Sequence, residues 1–131
     1  MCSSDLKARE LIARYRVKTS SPEAPVADLS GGNVQRAVLA RELSDEVKLL
    51  VASNPCFGLD FAAVAEIRNR IMEARNRGTA VLLISADLDE LIGLSDSITV
   101  ILRGKLVADV DPSDVTPEQL GSAMTGAGES A

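Results

Sequence analysis

Two short aliphatic runs, Val47-Lys-Leu-Leu-Val-Ala52 and Thr79-Ala-Val-Leu-Leu-Ile-Ser85, constrain the fold of this chain more than any other feature. Each is short and bounded by turn residues. Neither alternates apolar with polar, so neither reads as a half-exposed strand. Near-continuous apolarity predicts a strand covered on both faces. Between them, Val64, Ile67, Ile71 and Ala74 recur at helical spacing and predict a buried stripe on a helix over 61–77, stopped by Gly78. Strand, helix and strand of this kind belong to an α/β fold, with a mostly parallel sheet flanked by helices.

The flanks fit that class. Ala8, Leu11, Ile12 and Tyr15 predict an amphipathic helix over 5–16, which Ser4 or Asp5 can cap. A second helix starts after Ser30-Gly31-Gly32 and runs to about Leu43. Asp87 to Leu94 reads as a short helix. Strands over 97–102 and 105–109 are joined by Arg103-Gly104, a hairpin signal. Thr116-Pro-Glu-Gln119 is a capping box with Pro at the first helical position, opening a last helix to about Met124. The organised part is expected to be 1–126, followed by a flexible tail over 127–131.

Composition excludes whole classes of chemistry. The 131 residues contain no histidine, which removes Ser-His-Asp triads, imidazole metal ligands and any histidine base. Aromatics are only Tyr15, Phe57 and Phe61, so the core must be built mainly from aliphatic side chains. The net charge is −5, and Arg68, Arg70, Arg75 and Arg77 alternate with Glu66 and Glu73. That is a solvated helix face and no nucleic-acid footprint. Cys2 and Cys56 have neither pairing nor metal spacing, so no metal site is expected and a reduced, cytosolic compartment is the default. The start lacks a signal-peptide pattern, and the longest apolar runs are too short to span a bilayer.

Leu29-Ser30-Gly31-Gly32-Asn33 is the segment with chemical promise. Two glycines at a helix start offer backbone N–H groups, a close approach and the positive end of the dipole, and Ser30 adds a hydroxyl. Alone this is a weak signal, since Ser-Gly-Gly before a helix is more often a simple cap. The order of the other segments adds weight. An apolar strand and a Pro precede Gly58-Leu59-Asp60, and a second apolar strand ends in Ser85-Ala86-Asp87. With Leu39-Ala-Arg-Glu-Leu43 closing the second helix, this arrangement resembles the second half of the ATP-binding domain of ABC transporters. It is most similar to the second such domain of the tandem importer ATPases for simple sugars and nucleosides.

The resemblance implies a partial P-loop NTPase-like fold and a set of roles. Ser30, Gly31, Gly32 and Asn33 would be the signature motif, which in the family contacts ATP held on an opposing domain. Leu49 to Ser53 would be the Walker B strand, and Asp60 the D-loop residue at the dimer interface. The departures are equally specific. The family's acidic pair reads Ser53 and Asn54, and its switch histidine reads Ala86. Neither Ser53 nor Asn54 can neutralise Mg²⁺ or act as a base. No Gly-x-x-x-x-Gly-Lys-Ser/Thr occurs, and Gly104-Lys105 reads as a turn. The family uses ATP and Mg²⁺; this chain alone is expected to bind neither tightly and to hydrolyse nothing.

The expected partners are a second ATP-binding domain and transmembrane permease subunits, with the intact transporter's subunit peripheral on the cytoplasmic face of the membrane. A stand-alone, non-catalytic interaction domain derived from such an ATPase is the alternative. If half of the cassette is missing, Val34, Val38, Leu50 and Leu83 are expected on the uncovered surface, and the chain is expected to form a homo-oligomer that buries them.

Overall fold

A computed structural model describes residues 3–127. Cys2 lies outside them, as does the expected tail apart from Ala127. The elements run α1 (Ser3–Arg14), a 3-10 turn (Val26–Asp28), α2 (Gly31–Glu42), β1 (Leu49–Ser53), α3 (Phe61–Asn76), β2 (Ala80–Ile84), α4 (Leu88–Leu94), β3 (Ile98–Leu102), β4 (Lys105–Val110) and α5 (Pro117–Thr125). The helices and strands lie where the periodicities placed them, to within two residues at most ends. The 3-10 turn was not anticipated. Because α1 has already begun at Ser3, neither Ser4 nor Asp5 sits at its cap position.

The chain divides into two compact units, Met1–Leu82 and Leu83–Ala131. The first is built around α3. Ile67 and Ala74 are fully buried and Ile71 nearly so, because they share one face at 3.6-residue spacing. They pack with Tyr15, Leu39, Leu43 and Leu50. Each large aliphatic side chain buried here contributes roughly 1.5–3 kcal/mol relative to exposure. Tyr15 is the one aromatic in the core, and the Arg70 guanidinium lies 4.9 Å from its ring centroid. Arg70 also donates 2.6 Å to the Arg14 carbonyl, and pairs with Glu73 at 3.4 Å. The expected solvated face therefore holds for Arg75 and Arg77, which are exposed, and not for Arg70, whose side chain is largely covered against the fold.

Strands β1 and β2 pair as a parallel two-stranded sheet, with the Ala80 N–H donating to the Lys48 carbonyl at the entry. The expectation of strands covered on both faces needs correction. β1 alternates strictly: Leu50 and Ala52 are buried, whereas Leu49 and Val51 are each 57% exposed. Leu82 in β2 is 53% exposed. Successive strand side chains point to opposite faces, and within the described residues only one face has a layer packed on it. The residues expected on the uncovered surface are corrected accordingly. Leu50 is in the core, and Val34, Val38 and Leu83 are half-buried. The bare face carries Leu49, Val51 and Leu82, the sequence neighbours of Leu50 and Leu83.

In the second unit β3 and β4 form an antiparallel hairpin, with Leu102 opposite Lys105. Arg103 and Gly104 both take positive φ, 51° and 78°, as a two-residue turn of matching twist requires. Gly104 thus belongs to the hairpin turn and Lys105 opens β4. A bulge after Val100 inserts Val107 as an extra residue. Ile98, Val100 and Leu120 form the core, with Leu88, Leu91 and Ile92 packed against it. The predicted capping box is present: Thr116 accepts from the Gln119 N–H, and the Gln119 side chain accepts from the Thr116 N–H.

Candidate functional site

The start of α2 is an open helix end. Ser30 is its N-cap, with extended backbone (φ −65°, ψ 158°), and its carbonyl accepts the first helical bond from the Val34 N–H at 2.9 Å. Ser is a good capping residue, yet its side chain takes no bond from the helix backbone here. The N–H groups of Gly31, Gly32 and Asn33 therefore keep the positive end of the helix available to an anion. Ser30 and Gly31 are exposed.

The glycines also set how α2 meets α3. A Cβ on Gly32 would stand 3.0 Å from the Ala63 Cβ, tighter than a normal contact. A Cβ on Gly31 would meet only the Leu59 side chain, at an ordinary 3.5 Å. Gly32 thus has a packing reason, while Gly31 borders the open end. Further along α2, Gln35 donates 2.8 Å to the Pro55 carbonyl, tying the helix to the turn that follows β1. Arg36 pairs with Glu66 of α3 at 3.0 Å, with both side chains largely covered.

Asn33 has a role that its sequence position did not announce. It is one of two buried polar residues in the described chain, at 7% exposure. Its Oδ1 accepts from the Lys18 backbone N–H at 2.7 Å and from Arg36 at 3.3 Å. Its Nδ2 donates 2.8 Å to the Ser30 Oγ. The Asn33 side chain is thus turned into the fold, and only its backbone N–H belongs to the open end. The available signal was a polar residue three positions after a Ser at a helix start, which also suits an ordinary cap.

The end of β1 is different in kind. Ser53 and Asn54 are exposed, and Asn54 takes a left-handed backbone (φ 45°) that Asn tolerates better than most residues. Its carbonyl accepts from the Phe57 N–H at 3.2 Å, and Cys56 accepts from the Leu59 N–H at 3.3 Å. Gly58, at φ 73°, completes the bend. Asp60 then caps α3, its carboxylate accepting from the Ala63 N–H at 2.9 Å. Phe57 and Phe61, flanking this bend, are 87% and 95% exposed. The structure therefore brings Ser30 to Asn33 close to Leu59 and Ala63 through the α2–α3 packing. Ala86 lies in the second unit, in the bend between β2 and α4, ahead of Asp87, which caps α4.

This donor set does not fit Mg²⁺. A hard divalent cation is held through carboxylates and phosphates, and the β1 end offers a neutral hydroxyl and a neutral amide. No three His, Cys, Asp or Glu side chains cluster as a metal site among the described residues. The open amides of α2 fit a phosphate. No described helix is long and apolar enough to cross a membrane.

No protein-family model matches the chain. Individual proteins do. It is 42% identical over 120 residues to the guanosine import ATP-binding protein NupO of Bacillus subtilis (strain 168), a match covering 92% of this chain and 24% of that protein. It is 47% identical over 107 residues to the glucose import ATP-binding protein TsgD13 of Haloferax volcanii, covering 82% and 20%. The homologues of this chain are ABC transporter ATP-binding proteins. The chain spans about a fifth to a quarter of the length of these relatives.

Solved structures agree on the fold. The ADP conformation of MJ1267, an ATP-binding cassette of an ABC transporter, matches 92% of this chain and 45% of its own with a TM-score of 0.68 at 21% identity. The dimeric MJ0796, a bacterial ABC transporter cassette, matches 86% and 49% with a TM-score of 0.72 at 19% identity. The α/β arrangement with a parallel sheet is that of an ABC ATPase cassette, over about half of it.

Proposed function

We propose that this chain serves an ABC importer for simple sugars or nucleosides, by presenting the start of α2 to ATP held on a partner ATP-binding domain. The observation that carries the reading is the uncapped end of α2. Ser30 sits at the cap position, exposed, and leaves the N–H groups of Gly31, Gly32 and Asn33 open, in a chain whose homologues are import ATP-binding proteins. Fixed N–H groups aimed at a phosphoryl oxygen stabilise negative charge at no cost in reorganisation. Asp60 would lie along the same partner interface. Ser53, Asn54 and Ala86 leave the chain's own site without a base, a metal ligand or a switch histidine. It contributes binding and electrostatics, and by itself hydrolyses no ATP. Permease subunits at the cytoplasmic face of the membrane are the remaining partners.

The experiment is association of this chain with a P-loop-bearing ATP-binding domain from the Bacillus subtilis relative, made hydrolysis-deficient, followed by sedimentation with and without Mg·ATP. Association that requires Mg·ATP and is weakened in Ser30→Ala supports the reading. Association indifferent to nucleotide favours a non-catalytic interaction domain. The bare aliphatic face of Leu49, Val51 and Leu82 supports self-association of the isolated chain. Light scattering at micromolar concentration should give a mass above 13.8 kDa, and a monomer would remove that part.

A further inference from the structure

Resting on the reading above, we infer that Asn33 is a positioning residue that fixes the direction of the Ser30 hydroxyl, so that Oγ–H is committed as a donor to the incoming phosphoryl oxygen. Hydrogen-bond polarity sets this direction. A backbone N–H can only donate, so the Asn33 atom that meets the Lys18 N–H at 2.7 Å must be the carbonyl oxygen. Arg36, also a pure donor, lies on the same oxygen at 3.3 Å. Two donors on one side leave the amide a single orientation, with its NH₂ facing Ser30. Nδ2 then donates 2.8 Å to Oγ.

A neutral amide nitrogen cannot accept the serine proton in return. The hydroxyl proton is turned away from Asn33, and Ser30 is exposed. The hydroxyl is not otherwise used as a helix cap, which would also have employed it as an acceptor. Asn33 is buried and held from two sides, so this polarity is built in before any ligand arrives. An acceptor such as a phosphoryl oxygen meets a hydroxyl whose proton cannot be spent on Asn33 and is left to donate outward. Arg36 is not free to replace this contact, since its guanidinium faces Asn33 and the Glu66 carboxylate.

A merely structural Asn33, tying the loop at Lys18 to α2, predicts something else. Its loss would then lower the Mg·ATP-dependent affinity to the same extent whether or not Ser30 carries a hydroxyl. The test is a double-mutant cycle in the full chain, read as the Mg·ATP-dependent affinity for the hydrolysis-deficient P-loop domain. Asn33→Ala removes the donor. Asn33→Asp keeps the acceptor for Lys18 and Arg36, so it preserves the fold, but makes Ser30 turn its proton inward. Ser30→Ala is expected to weaken affinity by roughly 10- to 100-fold, as for a hydrogen bond to a charged group. Each Asn33 variant should cause a loss of the same order in the Ser30 chain.

In the Ser30→Ala background the Asn33 substitutions should cost at most about a third of that factor on a logarithmic scale. The added charge of Asn33→Asp acts in both backgrounds and cancels in the comparison. Equal losses in the two backgrounds, for both variants, overturn the inference while leaving the reading intact. No effect of Ser30→Ala, or no dependence on Mg·ATP, overturns the reading itself.

Discussion

Helices α2 and α3 begin close to one another and are built in opposite ways. At α3 every device serves the local backbone. Asn54 takes the left-handed turn, Gly58 bends the chain, and the Asp60 carboxylate closes the first helical turn. At α2 the equivalent groups are held back. Ser30 stands where a cap should be and caps nothing, and two glycines leave its amides bare. Asp87 of α4 and Thr116 of α5 follow the α3 pattern, each accepting from a backbone N–H three residues on. A helix start that forgoes about 1 kcal/mol of capping has either been left unfinished or reserved for a ligand. The buried amide of Asn33, trained on Ser30, argues for the second.

The largest expected effect tests whether the two helix starts are truly locked together. Gly32→Leu must push a side chain into Ala63, and overpacking of this kind costs about 1–3 kcal/mol. Gly31→Ala meets only ordinary contact with Leu59 and should stay within about 0.5 kcal/mol. Urea denaturation monitored by circular dichroism reads both. Equal stabilities for the two variants would mean that the close approach at Gly32 does not constrain the fold.

The next effect concerns the α3 side. Asn54 at φ 45° suits a residue that visits the left-handed region, and a longer side chain there is penalised by about 1–2 kcal/mol. Asn54→Glu should therefore lower stability by about 1 kcal/mol, while Asn54→Gly should be neutral or better. This sharpens the reading of a site without a base. Restoring the acidic residue also works against the local backbone, so Ser53→Asp with Asn54→Glu should yield a less stable chain. A stability unchanged by Asn54→Glu would show that the turn relaxes and that Asn54 has no conformational reason to be there.

What the sequence revealed and what it hid divide along physical lines. Elements with a helical period or a capping box could be read directly, as Ile67 and Ile71 on α3 and Thr116 with Gln119 on α5 show. So could the hairpin at Arg103-Gly104. The face of β1 could not. An unbroken apolar run carries no period of two, so nothing marks whether Leu49 or Leu50 faces the core, and an error of one residue inverts the surface. That is why Leu50 and Leu83 were expected on the bare face that Leu49, Val51 and Leu82 occupy. The Leu29–Asn33 segment was recognisable as a string, but the direction of the Asn33 amide depends on Lys18 and Arg36, which the string alone does not place.

A third contrast compares the two caps directly. Asp60→Ala removes a carboxylate that accepts from a helix amide, and should cost about 1 kcal/mol. Ser30→Ala removes no backbone cap. The Asn33 amide loses Oγ as its acceptor, but Ser30 is exposed and water can take that place. The cost should therefore stay below about 0.5 kcal/mol, while nucleotide-dependent association weakens by roughly 10- to 100-fold. Thermal denaturation of the two variants side by side decides it. If Ser30→Ala destabilises as much as Asp60→Ala, the hydroxyl is structural after all and the opposition between the two helix starts fails.

The smallest effect extends the comparison to an acid outside any helix. Asp111, in the loop between β4 and α5, resembles Asp60 in serving its own backbone. It accepts from the Ser113 hydroxyl at 2.6 Å and the Ser113 N–H at 2.8 Å. The hydroxyl bond, followed by the backbone bond, holds its carboxyl below the ordinary 3.8. Both bonds favour the ionised form in the folded chain. Their support is therefore complete above the ordinary value and disappears as pH falls through the lowered one. Ser113→Ala keeps the N–H and loses the hydroxyl, so Asp111 should titrate nearer its ordinary value. The stability gap between the two proteins should be small at neutral pH and close in acid. Carboxyl titration by NMR checks it, and identical Asp111 curves in the two proteins would show that the hydroxyl does not set the acid's affinity for its proton.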